Sequence, residues 1–494
     1  MGAVTTNSHE SVQPVPSTPK NPPPPGLPAV FDKFVADATL SVMARALLQR
    51  SLRAEPLDRL FAGHAVLQSN EELLFSSVVD MLSRVALRIN PSVRQAYLTN
   101  PHLHGVTLES YYGKLNRMEP QIGPALVRHS ARNMGEVISA LGGTPPPWRP
   151  GYRVKVLDGN HIGGTHHRLA VLRGTKAAAL PGEVLAVLDP QRRLFLDLIP
   201  CEDAYTQERA LLEQVLAQVE AGDVWVADRN FCTPRFLIGI HERRGFFAIR
   251  QHGQLNIRYL TPLRVVGRSK TGMVFEQEVM VTFEETGQSL RLRRVLVALD
   301  GPTRDGEREV AVLTNLPYEV DAVAVADLYQ DRWTIEVAFG QLTVLLRCEI
   351  ATLGYPRAAL FSFAVAVMAA NLLGGIQAAL GSAQGYEKVE SELSIFQVAT
   401  DIGQTYRGMM IAVPAKEWVI WEAMSLAEFV DHLRRLAKGT DWDRLRKATR
   451  GPKKPAAKKP NASVQRHVST QRLLIQAKQA KKQAKVVPRT PSQG

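Results

Sequence analysis

Cysteine is nearly absent: Cys201, Cys232 and Cys348 are the three in 494 residues, and they stand far apart. No Cys-x-x-Cys pair or histidine cluster accompanies them, which argues against a zinc site and a disulfide framework and fits a reducing cytoplasm. The first residues lack the charged start and apolar run of a secretory signal, so nothing there directs export. Acid is missing from Gly451 to Gly494, where Lys453, Lys454, Lys458, Lys459, Arg466, Arg472, Lys478, Lys481, Lys482, Lys485 and Arg489 supply eleven of the net +13 charges. A chain this basic points to a polyanionic partner. Read as an unstructured arm, the tail would add salt-sensitive, sequence-independent DNA affinity; a solubilising tail is the plainer alternative.

The length exceeds one simple core, and the 45% apolar content is ordinary for a globular protein. Residues 1–29 are Pro-rich and expected to be disordered. Helical periodicity runs through 30–143, a helical N-terminal domain in which Asn116 to Gly123 resembles the turn of a helix-turn-helix, with Arg117, Arg128 and Arg132 nearby for phosphates. A plain helical bundle explains the same pattern. A linker, 144–151, follows. From 152 to 250 the rhythm is strand-like (VKVLD, RLAVLR, EVLAVLD, LFLDLIP), then helix, strand, helix, strand, the element order of an α/β ribonuclease H-like core. Residues 251–316 read as a mostly β insertion, 317–381 as the second part of the core, 382–450 as a C-terminal helical region and 451–494 as a disordered basic tail. The stretch Ala358 to Gly381 carries no charge and is long enough to span a bilayer, but Ser362, Asn371 and Gln377 and its place after a charged helix favour a buried core helix and no membrane.

Three carboxylates stand out. Asp158 ends the expected strand RVKVLDG and Asp228 ends VWVAD; an acid at the end of a buried strand is costly unless it is paired or binds a cation. Glu336 lies in DLYQDRWTIEVAFGQLTVLLR, expected as one continuous helix with Tyr329, Arg332, Glu336, Gly340, Thr343 and Arg347 on one face. Taken alone, a Glu on an amphipathic helix is a solvated residue, Arg332 is its ion-pair partner and Tyr329 is a packed ring.

Together, strand aspartates Asp158 and Asp228, the β insertion and Tyr329-x-x-Arg332-x-x-x-Glu336 resemble the DDE-type bacterial insertion-sequence transposases, in particular the cut-and-paste branch, insertion sequence family four. The resemblance covers about Tyr152 to Leu380. It implies Asp158, Asp228 and Glu336 as catalytic residues holding two Mg²⁺ (or Mn²⁺) ions, a donor set that suits hard cations and in-line phosphodiester attack. It implies Tyr329, Arg332, Arg347 and Arg229 as DNA contacts, transposon terminal inverted repeats and target DNA as partners, a homodimer on paired DNA ends, and a place at the bacterial nucleoid. Two departures accompany it. The family places Lys seven positions after Glu, where this chain has Thr343, with Arg347 one turn beyond as a substitute. The insertion has no Trp, so an aromatic that stabilises a flipped base would be Tyr259, Phe275 or Phe283. The competing readings are a catalytically inactive DNA-binding relative or repressor of transposition, and a nuclease on the same fold.

Overall fold

The computed structural model describes residues 27–99, 105–163, 167–175, 177–303, 306–448 and 467–486. Most of the Pro-rich stretch and of the tail falls outside them. Helices α1 (Asp32–Asp37), α2 (Thr39–Ser51), α3 (Ala54–His64), α4 (Phe75–Ala86), α5 (Val93–Leu98), α6 (Leu108–Asn116) and α7 (Ile122–Leu141) precede the sheet. Its strands are β1 (Arg153–Ile162), β3 (Gly182–Asp189), β4 (Leu194–Cys201), β5 (Asp223–Ala227), β6 (Phe246–Arg250), β7 (Ile257–Tyr259), β8 (Arg264–Arg268), β9 (Gly272–Thr282), β10 (Ser289–Leu299) and β11 (Glu309–Thr314). A short strand β2 (Ala179–Leu180) lies outside that sheet and pairs with β12 (Val468–Ser469).

The order β4-β3-β1-β5-β6 has an antiparallel meander on one side of β1 and parallel neighbours β5 and β6 on the other, which is the ribonuclease H-like arrangement. Helices α8 (Leu212–Leu216) and α9 (Pro234–Glu242) supply the crossovers that parallel strands require. RLAVLR, expected as a strand, is instead a 3₁₀ turn at Ala170–Leu172. The β insertion is not a separate body: β11 pairs with β6, and β10, β9 and β7 continue the same ten-stranded sheet. Arg293 on β10, buried against Glu276, donates to the carbonyls of Leu316, Pro317 and Val320 and so fastens the insertion to the chain entering the next helix.

That chain forms α10 (Ala322–Gln330) and α11 (Trp333–Leu345), followed by α12 (Pro356–Gln384), α13 (Tyr386–Glu392), α14 (Ile395–Ala412), α15 (Ile420–Ala423) and α16 (Leu426–Lys438). Helix α12 has the length and hydropathy of a membrane span, yet 94% of its most apolar window is buried, between β4 and the helices α7, α4, α2 and α16. Its Asn371, fully buried, shows why a polar residue belongs there. The amide accepts from Phe195 N–H at 2.8 Å and donates to Phe195 C=O at 3.0 Å and to Ser130 Oγ at 2.9 Å, satisfying the open edge of β4. Helix α7 packs against α12 and β4, and its Arg128 pairs with Asp197 at 2.9 Å. Asn116 to Gly123 spans the connection between α6 and α7, and α7 turns its apolar side into the core.

The tail differs from expectation within 467–486, where β12 is followed by α17 (Thr470–Val486).

Candidate functional site

Register brings Asp158 and Asp228 together. β1 and β5 run parallel with Leu157 opposite Ala227, so Asp158 and Asp228 are the next residues on adjacent strands. Alternation decides their side. Val156 and Val226 face the layer of α10–α12, while Leu157, Trp225 and Ala227 face α8 and α9, which puts both aspartates toward α10 and α11. Asp158 is not the end of its strand, however. β1 continues to Ile162 by pairing with β3 after the pairing with β5 stops.

The expected single helix through Glu336 is two helices. At Asp331 and Arg332 the backbone bonds shorten to the three-residue step, Asp331 N–H to Leu328 C=O and Arg332 N–H to Tyr329 C=O, which overwinds the chain and breaks the common face. The break places Arg332 at the N-cap of α11. Its guanidinium then spans two acids, 3.4 Å from Asp158 Oδ2 and 2.8 Å from Glu336 Oε1. The side chain is 10% exposed and its Nε is buried without a partner among the described residues. Tyr329, at the end of α10, points its hydroxyl to Asp228 Oδ1 at 3.5 Å.

Electrostatics follow the burial. Desolvation raises the Asp158 carboxyl from its ordinary 3.8 to about 6; Arg332 and the Gly159 N–H pull it down, and Glu208 and Glu336 push it up. Burial and Asp228 drive the Tyr329 phenol well above its usual value. Burial disfavours the Arg332 cation, but Tyr329, Asp228, Asp158 and Glu336 more than offset this and raise its pKa.

The other two expected contacts, Arg347 and Arg229, are each paired within the protein. Leu346, extended, caps α11 after Leu345, so Arg347 leaves the helix face; its N–H bonds Ala86 C=O at 2.8 Å and its guanidinium the carbonyl of Pro91. It braces the N-terminal helices and does not replace a Lys on the face of Glu336, where Thr343 is exposed and bonds Phe339 C=O. Arg229, half-exposed beside Asp228, pairs with Glu307 at 3.2 Å.

Several residues at the site have no motif signal. Arg250 on β6 is 3.9 Å from Asp228 and 2.6 Å from Glu307, so Arg229 and Arg250 share that acid. Glu208, entering the turn before α8, lies over the backbone of Gly159: a Cβ built on Gly159 would collide with Glu208 Oε1. A glycine under a distant Glu carries no periodicity, which is why sequence reading passes over the pair. Trp333, next to Arg332, is 58% exposed, with the guanidinium 5.5 Å from its ring. It is an exposed tryptophan outside the insertion, so a reading that looks for an aromatic within the insertion misses it. Tyr259 on β7 is also exposed, while Phe275 and Phe283 are half-buried. A groove of about 1500 Å³ beside α11 is lined by Trp333, Val337, Gly340, Val344 and Phe396 but by none of the three acids.

The donor set suits a hard divalent cation in type, being all carboxylate. Asp158 is partly buried and its carboxyl is raised chiefly by desolvation, so a cation bound beside it would favour the ionised form. Arg332 now stands between Asp158 and Glu336, and among the described residues no group of three Asp, Glu, His or Cys side chains converges closely enough to hold a metal.

Residues 149–372 match the family model described as the transposase DDE domain, a span that contains Asp158, Asp228 and Glu336. A Sinorhizobium fredii (strain NBRC 101917 / NGR234) protein named "Putative transposase y4zB" is 28% identical over 125 residues, 24% of this chain. The match spans 33% of that relative's length. Among solved structures, a piggyBac transposase in a synaptic complex with hairpin DNA aligns with 78% of this chain and 75% of its own, at 10% identity and a TM-score of 0.37. The family match, which spans the segment bearing the three acids, and the sequence similarity to a transposase support a DDE transposase.

Proposed function

We propose that this chain is a DNA transposase that cleaves transposon ends and joins them to target DNA at Asp158, Asp228 and Glu336, in the manner of the cut-and-paste insertion-sequence branch with its Tyr-Arg-Glu signature. The observation that carries the reading is the Arg332 bridge between Asp158 on β1 and Glu336 on α11, with Asp228 following the adjacent parallel strand β5. Asp158, Asp228 and Glu336 would hold two Mg²⁺ or Mn²⁺ ions. When bound, such ions activate the attacking hydroxyl and stabilise the leaving oxygen.

The chain's own residues account for the rest. Arg332, between Asp158 and Glu336, supplies positive charge for a DNA phosphate at the acids, and Arg250 and Arg229 supply it on the Asp228 side. Tyr329, kept protonated by its surroundings, donates a hydrogen bond near Asp228. Trp333 offers an open ring on which an unpaired base can stack. Water and a DNA 3′-hydroxyl are interchangeable nucleophiles at such a site, so one set of acids serves both cutting and joining. The partners are terminal inverted repeats and target DNA, with two protomers on paired ends, in the cytoplasm at the nucleoid.

Strand transfer separates this reading from a nuclease. Pre-cut ends bearing a free 3′-hydroxyl should be joined into a supercoiled plasmid by the wild-type chain with Mg²⁺ and not by Glu336→Gln. Cutting without any joining would leave a nuclease.

A further inference from the structure

Helix α17 is held to the body of the protein at its beginning. β12 pairs in parallel with β2, and Val468 N–H donates to Ala178 C=O at 2.8 Å. Arg472 pairs with Asp203 at 2.7 Å and lays its guanidinium 4.7 Å from the centre of the Tyr205 ring, while the Tyr205 hydroxyl donates to His467 C=O at 2.8 Å. Ser469 and Thr470 are buried at this anchor, Leu473 and Leu474 are half-buried, and α17 also packs on the turn at Ala170–Leu172. Beyond them, from Lys478 to Ala484, every residue is exposed.

What projects is a helix without acid. Lys478, Lys481 and Lys482 recur at steps of three and four and share one face. Like charges at that spacing destabilise a helix, and no carboxylate on α17 offsets them. A partner that presents a regular row of negative charge would. The position of the anchor narrows the choice of partner. Asp203 and Tyr205 belong to the same loop that delivers Glu208 onto Gly159, beside Asp158. The anchor from which the lysine row extends therefore sits on the loop that borders the acid site.

We propose that α17 is a docked DNA arm: Lys478, Lys481 and Lys482 bind backbone phosphates of a duplex engaged at the acid site, and the Arg472–Asp203–Tyr205 anchor fixes where the arm leaves the body. Arg472 is already committed to Asp203 and is not one of the phosphate ligands. The proposal rests on the transposase reading for the presence of DNA at the acids, but binding is measurable without cleavage.

The test is the affinity of the full chain for a short random-sequence duplex, read by fluorescence anisotropy in EDTA across a salt series. The triple variant K478A/K481A/K482A, which preserves helix propensity, is expected to bind at least roughly tenfold more weakly and to flatten the plot of log affinity against log salt by roughly 2 to 3, about 0.9 for each phosphate left without its lysine. The corresponding triple Lys→Arg variant should keep the wild-type slope. Asp203→Ala, which keeps all three lysines but frees the anchor, should retain most of the slope and lose affinity severalfold. An unchanged slope in the triple Ala variant overturns the arm, wild-type affinity in Asp203→Ala overturns the anchor, and equal binding to phosphatidylserine vesicles overturns DNA as the partner. If the wild-type chain cuts no DNA while the slope still falls in the triple Ala variant, the arm stands and the transposase reading fails.

Discussion

Arg332 Nη1 and Asp158 Oδ2 lie 3.4 Å apart across 174 positions of sequence, joining the start of α11 to strand β1 of the sheet. The same guanidinium holds Glu336, so one cation organises two of the three acids. Arg332→Ala should leave both uncompensated. Cleavage is expected to fall by about 10² to 10³, the usual cost of removing a positioned charge donor, and Asp158 should titrate above its present value of about 6. Arg332→Lys keeps the charge but loses the two-point geometry and should recover only part of the rate. Single-turnover cleavage and a carboxyl NMR titration read the two effects; a wild-type rate in Arg332→Ala contradicts this role.

Asp158 also makes stability depend on pH. Its carboxyl moves from 3.8 to about 6 on folding, so between those values the folded chain keeps a proton that the unfolded chain releases. Stability without metal should therefore fall as pH rises from about 4 to 6, by up to roughly 3 kcal/mol, and the penalty stays constant above that. Asp158→Asn should raise the melting temperature at neutral pH and change it little near pH 4. Mg²⁺ should stabilise the wild-type chain at neutral pH more than this variant. A destabilised Asp158→Asn chain at pH 7 would refute the assignment of Asp158 as an under-compensated acid.

Gly159 and Glu208 form a second testable pair. Alanine at 159 would push its Cβ into Glu208 Oε1, which sits at the flexible end of a side chain and can move. Gly159→Ala should thus fold, displace Glu208 and lower the Asp158 pKa by removing a repulsion; Glu208→Gln should do the same. Because both act through one contact, the double variant should shift Asp158 no further than either single one. Additive shifts in a carboxyl titration would show that the two residues act independently.

The fold was legible where hydrophobic pattern and burial coincide. The strands of the core, β5 above all, and the uncharged helix α12 read directly from their apolar runs. The site was legible in composition but less so in geometry. Asp158 and Asp228 are where adjacent strands predict them, yet the continuous helix through Tyr329 and Glu336 is interrupted, because a local shortening of hydrogen bonds at Asp331 and Arg332 leaves the apolar spacing around it intact. Arg347 lies beyond the helix end, which no residue in LLRCE announces. Glu208, Arg250 and Glu307 reach the site only through tertiary register, and a stretch read in isolation carries no trace of that. The basic tail reads as charge without structure, since Leu473, Leu474 and the two-residue strand β12 are too short a signal to mark an anchor.

Asn371 links the buried helix to the sheet edge. Asn371→Leu would strand the buried N–H and C=O of Phe195. Each unsatisfied group costs about 1–3 kcal/mol, so a loss of roughly 2–6 kcal/mol is expected in urea unfolding. A loss below about 1 kcal/mol would mean that the edge of β4 finds another partner.

The central claim is that Asp158, Asp228 and Glu336 act together in cutting DNA. Its most direct test is incubation of end-labelled DNA from both flanks of the chain's own gene with the wild-type protein, Asp228→Asn and Glu336→Gln, each with Mg²⁺ and with EDTA. The account predicts nicks at the element boundary that require Mg²⁺ and both acids, while all three proteins bind the same DNA in EDTA. Nicks that persist in either variant, or salt-sensitive binding with no nick at all in the wild-type chain, would contradict it.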